Sequence, residues 1–157
     1  MKYMLVSACL LGVRCRYDGT KKADEGVLKL LGRKDVTLIP VCPEQLGGMR
    51  TPRAASERKG DKVWNKEGED VTAYYEEGAR EAWRLAELYG CDTAILKERS
   101  PSCGCGRIYD GNFTGALAAG DGVTAQLLKA HGLRVVGESE IHGIFGQETA
   151  CFPDVPQ

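Results

Sequence analysis

The run TAILKERSPSCGCG, Thr93 to Gly106, decides the fold. It begins with a short apolar stretch, Thr93–Lys97, of the kind that makes a buried strand, and then breaks into a loop crowded with Ser, Pro, Gly and two cysteines. Just ahead of it, Tyr75, Ala79, Ala82, Ala86 and Tyr89 recur at steps of three and four, which predicts a helix from Thr72 to Tyr89 with Gly90 as its stop. A helix leading into an apolar strand that ends in a glycine-bearing loop is the signature of a βαβ unit.

The same pattern extends in both directions. Tyr3–Ser7 is short and apolar and opens into LLGVRCRYDG, Val36–Val41 (VTLIPV) is β-branched and breaks at Cys42-Pro43, and Leu133–Val136 (LRVV) supplies a fourth strand. Ala23–Leu31 places Val27, Leu30 and Leu31 at helical spacing with Gly32 as the cap, and Asp121 is placed to cap a helix through His131. Pro43–Asp70 reads as loop with one β-hairpin, and a connection of that length is often functional. The expected class is α/β: a single domain over residues 1–157, a three-layer αβα arrangement with a mainly parallel, Rossmann-like sheet. In that topology Cys9, Cys42 and Cys103 lie just past the carboxyl ends of the first three strands, the edge where open α/β sheets gather ligands. Three thiols far apart in sequence are therefore expected to meet in space.

Bulk properties narrow the class of function. At 157 residues the chain can bury a core without staples, and a net charge of −1 offers no general basic field for macromolecular nucleic acid. A small anionic ligand held by local arginines remains compatible with that total. Seven cysteines is an odd count whose spacing makes no compact disulfide framework, so free thiols in the reducing cytoplasm are expected. The stretch V-S-A-C imitates a lipoprotein cleavage box, yet only Tyr3–Val6 precede its small residues, short of the roughly 7–15 apolar residues a signal segment needs. No apolar run approaches the roughly 18 residues of a membrane span.

A lone cysteine is usually a small buried hydrophobe, and Cys91 fits that description best, while Cys151 lies in a polar, proline-bearing tail and has no role assigned to it. Structural zinc prefers pairs at C-x2-4-C, whereas Cys9/Cys15 are C-x5-C and Cys103/Cys105 are C-x-C; His131 and His142 read as surface or cap residues. Soft thiolates select zinc, copper(I) or an iron–sulfur cluster, and three of them can hold a cubane while leaving one iron open as a Lewis acid. Two other readings stand beside this one: a non-catalytic module binding zinc, iron–sulfur or a nucleotide, and a cytosolic thiol enzyme using Cys103 directly.

SACLLGVRCRYDG, VCPEQLGGMRTPR and LKERSPSCGCGRIYDG together resemble the DUF523 family, whose better understood members are thiouracil desulfidases, and the resemblance covers nearly the whole chain. It implies a [4Fe-4S] cluster on Cys9, Cys42 and Cys103, one that air can strip, with Glu44 as the catalytic carboxylate and Ser100 as its assisting hydroxyl. The implied reaction is hydrolytic removal of sulfur from a thiolated pyrimidine or its nucleotide, the substrate sulfur bound at the open iron. Cys15 and Cys105 lie outside the pattern. Arg50 and Arg53 are candidates to grip a phosphate, with surface pairing to Glu57 as the plainer alternative, and Lys97 and Ser102 are further substrate-binding candidates at the same edge. Asp18 and Asp110, each before a glycine, are expected to shape turns.

Overall fold

The structure is a computed structural model and describes residues 1–145. Cys151 lies outside the described residues. Four strands, β1 (Lys2–Ser7), β2 (Val36–Val41), β5 (Thr93–Leu96) and β8 (Arg134–Gly137), form a wholly parallel sheet in the order β2-β1-β5-β8. The chain steps from β1 to β2 on one side and then returns to lay β5 on the other side of β1, so strand order reverses between β1 and β5.

Alternation along the strands divides the core into two layers. Met4, Val6 and Ile95 point to one face, where they pack with Val27 and Leu30 from the segment containing α1 (Glu25–Lys29) and with Ile141. Leu5, Ala94 and Leu96 point to the other, against α3 (Thr72–Tyr89) and α4 (Val123–Ala130) through Ala86, Ala125 and Leu128. A short α5 (His142–Phe145) closes the first face, with Ile144 and Phe145 packed on it. This is the expected three-layer α/β architecture. No helix among the described residues is long and apolar enough to cross a membrane.

Several local expectations needed revision. The first helix is short: Asp24 caps it by accepting the Val27 amide at 2.9 Å, and a 3-10 turn over Leu30–Gly32 ends it. Asp121 does not cap α4, whose N-cap is Gly122; its carboxylate receives the Gly106 amide at 2.8 Å and the Lys129 ammonium at 3.0 Å. The long 43–70 segment holds the expected hairpin, β3 (Ser56–Lys59) with β4 (Lys62–Asn65), and also the unexpected α2 (Pro43–Leu46). A second small hairpin, β6 (Arg107–Tyr109) with β7 (Leu117–Ala119), lies in a stretch to which the sequence pattern assigned no element.

The seat of α2 is set by two glycines. A Cβ on Gly78 of α3 would lie 1.9 Å from the Pro43 carbonyl oxygen, and one on Gly47 would lie 2.0 Å from the Tyr74 carbonyl oxygen. Bare backbone therefore meets bare backbone, and the turn carrying Cys42 and Glu44 is fixed directly to the long helix. Gly78→Ala gains helix propensity worth about 1 kcal/mol at most, but forces these backbones apart at an overpacking cost of about 1–3 kcal/mol. The expected result is a lower urea midpoint, and a variant more stable than the parent would contradict the close contact.

Candidate active site

The strand ends open onto a cavity of about 400 Å3 whose walls include Cys9, Cys15, Cys42, Glu44, Lys97, Ser100, Ser102 and Cys103. Each arrives by a short path from the sheet. Cys9 sits in a 3-10 turn (Ala8–Leu11) directly after β1, Cys42 is the N-cap of α2 directly after β2, and Cys103 lies in the loop after β5. The Ser7 hydroxyl accepts the Lys97 amide at 2.9 Å, joining the chain just beyond β5 to the end of β1.

The thiols occupy different electrostatic settings. The Cys42 thiol donates to the Cys15 carbonyl at 3.7 Å, and the buried Cys15 thiol is a hydrogen-bonding neighbour of Cys42 on one side and Cys9 on the other. Hydrogen bonding with that thiol is the largest influence on each: it brings Cys42 down to about 7 with help from the Gln45 amide, and it lowers Cys9, beside which Lys97 and Arg16 add positive charge. Cys15 itself is pushed up, first by those same hydrogen bonds. Cys103 is pushed up to about 12 by burial, partly offset by the hydroxyls of Ser102 and Ser7. Among the described residues no three His, Cys, Asp or Glu side chains stand close enough to hold one metal ion. Sulfurs spread around a cavity suit a multi-iron cluster, which is wider than a single ion whose thiolates sit about 2.3 Å from it. The donor set therefore fits the group that the sequence implied.

Glu44 is held from two sides. Its Oε1 accepts the Tyr75 hydroxyl at 2.5 Å and the Arg53 guanidinium at 3.4 Å, and its Oε2 faces the Ser102 hydroxyl at 3.5 Å. Tyr75 is 1% exposed, and burial raises its phenol well above the ordinary value, so it stays a donor. The Ser100 oxygen accepts the amides of Ser102 and Cys103, each at 3.1 Å, and so stabilises the turn after it as well as facing the cavity.

The substrate-binding candidates part company. Ser102 and Lys97 line the cavity, the latter ion-paired to Glu138. The Arg53 side chain, 5% exposed, is committed to Glu44, to Thr51 Oγ1 and to the carbonyls of Arg50 and Cys15, while Arg50 is exposed and away from the cavity wall. Glu57 pairs with neither arginine; it receives the amides of Gly111 and Phe113, each at 3.1 Å. Asp18 and Asp110 shape turns through the amides of Thr20 and Asn112. Cys91 is buried in the second core layer, and His131 stacks on Trp83 at 4.0 Å. Cys105 points away, donating to the Val135 carbonyl.

Sequence reasoning missed Tyr75, Arg16, Tyr17, Lys22 and Arg99, of which the last four line the cavity. For Tyr75 a signal existed: it is the polar member of an otherwise alanine-rich buried stripe, and a buried phenol needs a partner.

A parallel α/β sheet with three thiols, a braced carboxylate and paired serines at its switch point defines a cluster-binding or thiol-dependent enzyme class. Comparison narrows this. The chain belongs to the 2-thiouracil desulfurase family, whose family model matches residues 4–140. It is 44% identical to the uncharacterized protein YbbK of Bacillus subtilis strain 168, over 90% of this chain and 99% of that protein. Among solved structures it is similar to TudS, a [4Fe-4S]-dependent thiouracil desulfidase, at 43% identity and a TM-score of 0.87, covering 92% of this chain and 96% of that one. The family suggested by the three motifs is the family found.

Tyr75→Phe leaves the cavity walls in place but removes the shorter of the two hydrogen bonds on Glu44 Oε1. Loss of a buried hydrogen bond to a charged group costs about 1.5–3 kcal/mol. Urea unfolding should record a fall in that range, and an unchanged midpoint would mean that the phenol does not brace the carboxylate.

Proposed function

We propose that this chain is a single-domain cytoplasmic desulfidase that removes sulfur from a thiolated pyrimidine by hydrolysis, with Cys9, Cys42 and Cys103 holding a [4Fe-4S] cluster. The observation that carries the reading is the convergence of those three thiols with Glu44 and Ser100 on one cavity; family membership and the similarity to TudS support it. When bound, a cubane with one iron free of protein ligands supplies a Lewis acid that draws electron density from a thiocarbonyl.

The chain's own residues do the rest. Glu44, oriented by Tyr75 and Arg53, takes the proton from the attacking water, and Ser100 holds that water near the ring carbon. Lys97, kept in place by Glu138, sets a positive charge beside the Cys9 sulfur and favours its thiolate. No external electrons are required, because replacing sulfur by oxygen at the same carbon is a hydrolysis. For a nucleotide substrate the cations available on the cavity wall are Arg16, Lys22 and Arg99. Arg50 and Arg53 take no part in that grip.

A thiol enzyme using Cys103 is disfavoured by its burial at 4% exposure and by the upward push on its thiol, both of which make a poor nucleophile. A purely metal-holding module gives no reason for a carboxylate braced by a buried phenol at the cavity wall.

Anaerobically prepared protein is expected to contain four irons and four acid-labile sulfides per chain if this cluster is present. It should release sulfide from 4-thiouracil, 2-thiouracil or their nucleotides. Ser at Cys9, Cys42 or Cys103 should abolish the cluster, and Ser at Cys91 should retain it. Glu44→Gln should keep the iron and lose turnover by about 10²–10⁴. Protein that stays colourless after anaerobic reconstitution, or full activity in Glu44→Gln, would overturn the reading.

A further inference from the structure

Three carboxylates stand on the cavity wall, Glu44, Glu57 and Glu98, and they differ in what already occupies them. Glu44 uses both oxygens. Glu98 is turned to the Ser139 amide and hydroxyl, with Lys97 and Arg99 adding positive charge beside it. Glu57, 9% exposed, has one oxygen filled and one open: Oε1 accepts the Gly111 and Phe113 amides, and Oε2 accepts no hydrogen bond among the described residues. Among those residues no ion pair includes Glu57. Alternation along β3 sends its neighbour Arg58 the other way, to the Asp121 carbonyl at 2.7 Å and to Gln126. Nor is Oε2 sealed off, because the described side-chain polar atoms that are both closed to solvent and without a partner are Ser56 Oγ and Thr124 Oγ1. The open space that Glu57 lines is the cavity.

An ionised carboxylate is acceptor-only, with about four lone-pair sites on its two oxygens. Two of those on Glu57 are taken, both on Oε1, so what the free oxygen can receive is a ligand N–H. A pyrimidine of the thiouracil type offers one at N3. That N–H lies between C2 and C4, so it adjoins the thiocarbonyl whichever of the two carbons bears sulfur, and it survives when N1 carries a sugar.

We propose that Glu57 is a specificity-determining residue whose Oε2 accepts the N3–H of the thiolated pyrimidine. This rests on the desulfidase reading and adds to it the ring edge that the site reads. A carboxylate that merely holds the 111–113 turn needs Oε1 alone, and an amide side chain would hold that turn as well. A hydrogen bond from N–H to a carboxylate is roughly twice as strong as one between neutral groups. A site built to accept an N–H rejects an analogue that lacks it, since the acceptor is then left facing carbon.

The test uses cluster-loaded protein and compares 4-thiouracil with 3-methyl-4-thiouracil by kcat/KM for sulfide release. Calorimetric binding of uracil and 3-methyluracil to the same protein gives a second readout that involves no turnover. The parent should favour the unmethylated ring by about tenfold or more. Glu57→Gln keeps a carbonyl for the two amides but puts an NH2 group where Oε2 stood. It should retain its iron and bring the preference to within about twofold, whereas Glu98→Gln, which alters the other partly open carboxylate, should leave the parent's preference unchanged. A parent that handles the methylated ring within twofold of the unmethylated one overturns the proposal without recourse to any variant. So does a Glu57→Gln protein that keeps the parent's preference, or loss of that preference in Glu98→Gln. Each of these leaves the desulfidase reading standing. A parent protein that carries its iron yet releases no sulfide from any thiopyrimidine overturns that reading and the role of Glu57 with it.

Discussion

The register between β1 and its two neighbours is the constraint on which everything else depends. Ser7 lies opposite Val41 across one ladder, and Val6 lies opposite Ile95 across the other. The three chains therefore leave the sheet nearly level with one another, and residues one, two or a few positions later must share the space above it. A slip of one residue would exchange the two faces of a strand, placing Met4 and Val6 where Leu5 belongs, and both apolar layers forbid it. Core packing thus fixes the site, and Cys9, Cys15 and Cys103 are themselves part of the packed core beneath it. The bond from the Lys97 amide to Ser7 marks the last level at which the two strands run side by side.

Above that level the problem is one of buried charge. The three sulfurs that converge on the cavity cannot all be ionised there at little cost, and each meets the difficulty differently. Cys42 and Cys9 are lowered by hydrogen bonding with the neighbouring Cys15 thiol and stand near Arg53 or Lys97. Cys103 has no cation among its leading influences and relies on hydroxyls. Burying Arg53 and Glu44 is tolerable because both are paired: Arg53 satisfies four acceptors at once, and Glu44 uses both oxygens.

How much of this is legible in the chain follows from the length of each element. The four central strands and the long helix announce themselves because several consecutive residues obey one period, and once they are placed the meeting of Cys9, Cys42 and Cys103 is a matter of topology. The four residues of α2 and the three-residue strands β6 and β7 are too short for any period to register; they exist because tertiary contacts hold them. Arg53 read as a phosphate grip or, more plainly, as a surface cation paired with Glu57, because nothing local reveals that its head meets the Cys15 carbonyl, thirty-eight positions away. Tyr75 looked like core, and is core, yet its hydroxyl reaches a carboxylate thirty-one positions earlier. Long-range polar pairing leaves no periodic trace.

The bare-backbone contact between Gly47 and Gly78 has an architectural consequence. With no side chains between the two helices there is no compressible layer, so the wall bearing Cys42 and Glu44 cannot rock. Arg16, Tyr17 and Lys22 line the same cavity from a segment with neither helix nor strand, tied to that wall where the Arg53 amide donates to the Tyr17 carbonyl at 2.7 Å. The molecule is, in effect, a box with one welded side, and variation that changes what it admits would be concentrated on the irregular edge while the welded one stays as it is.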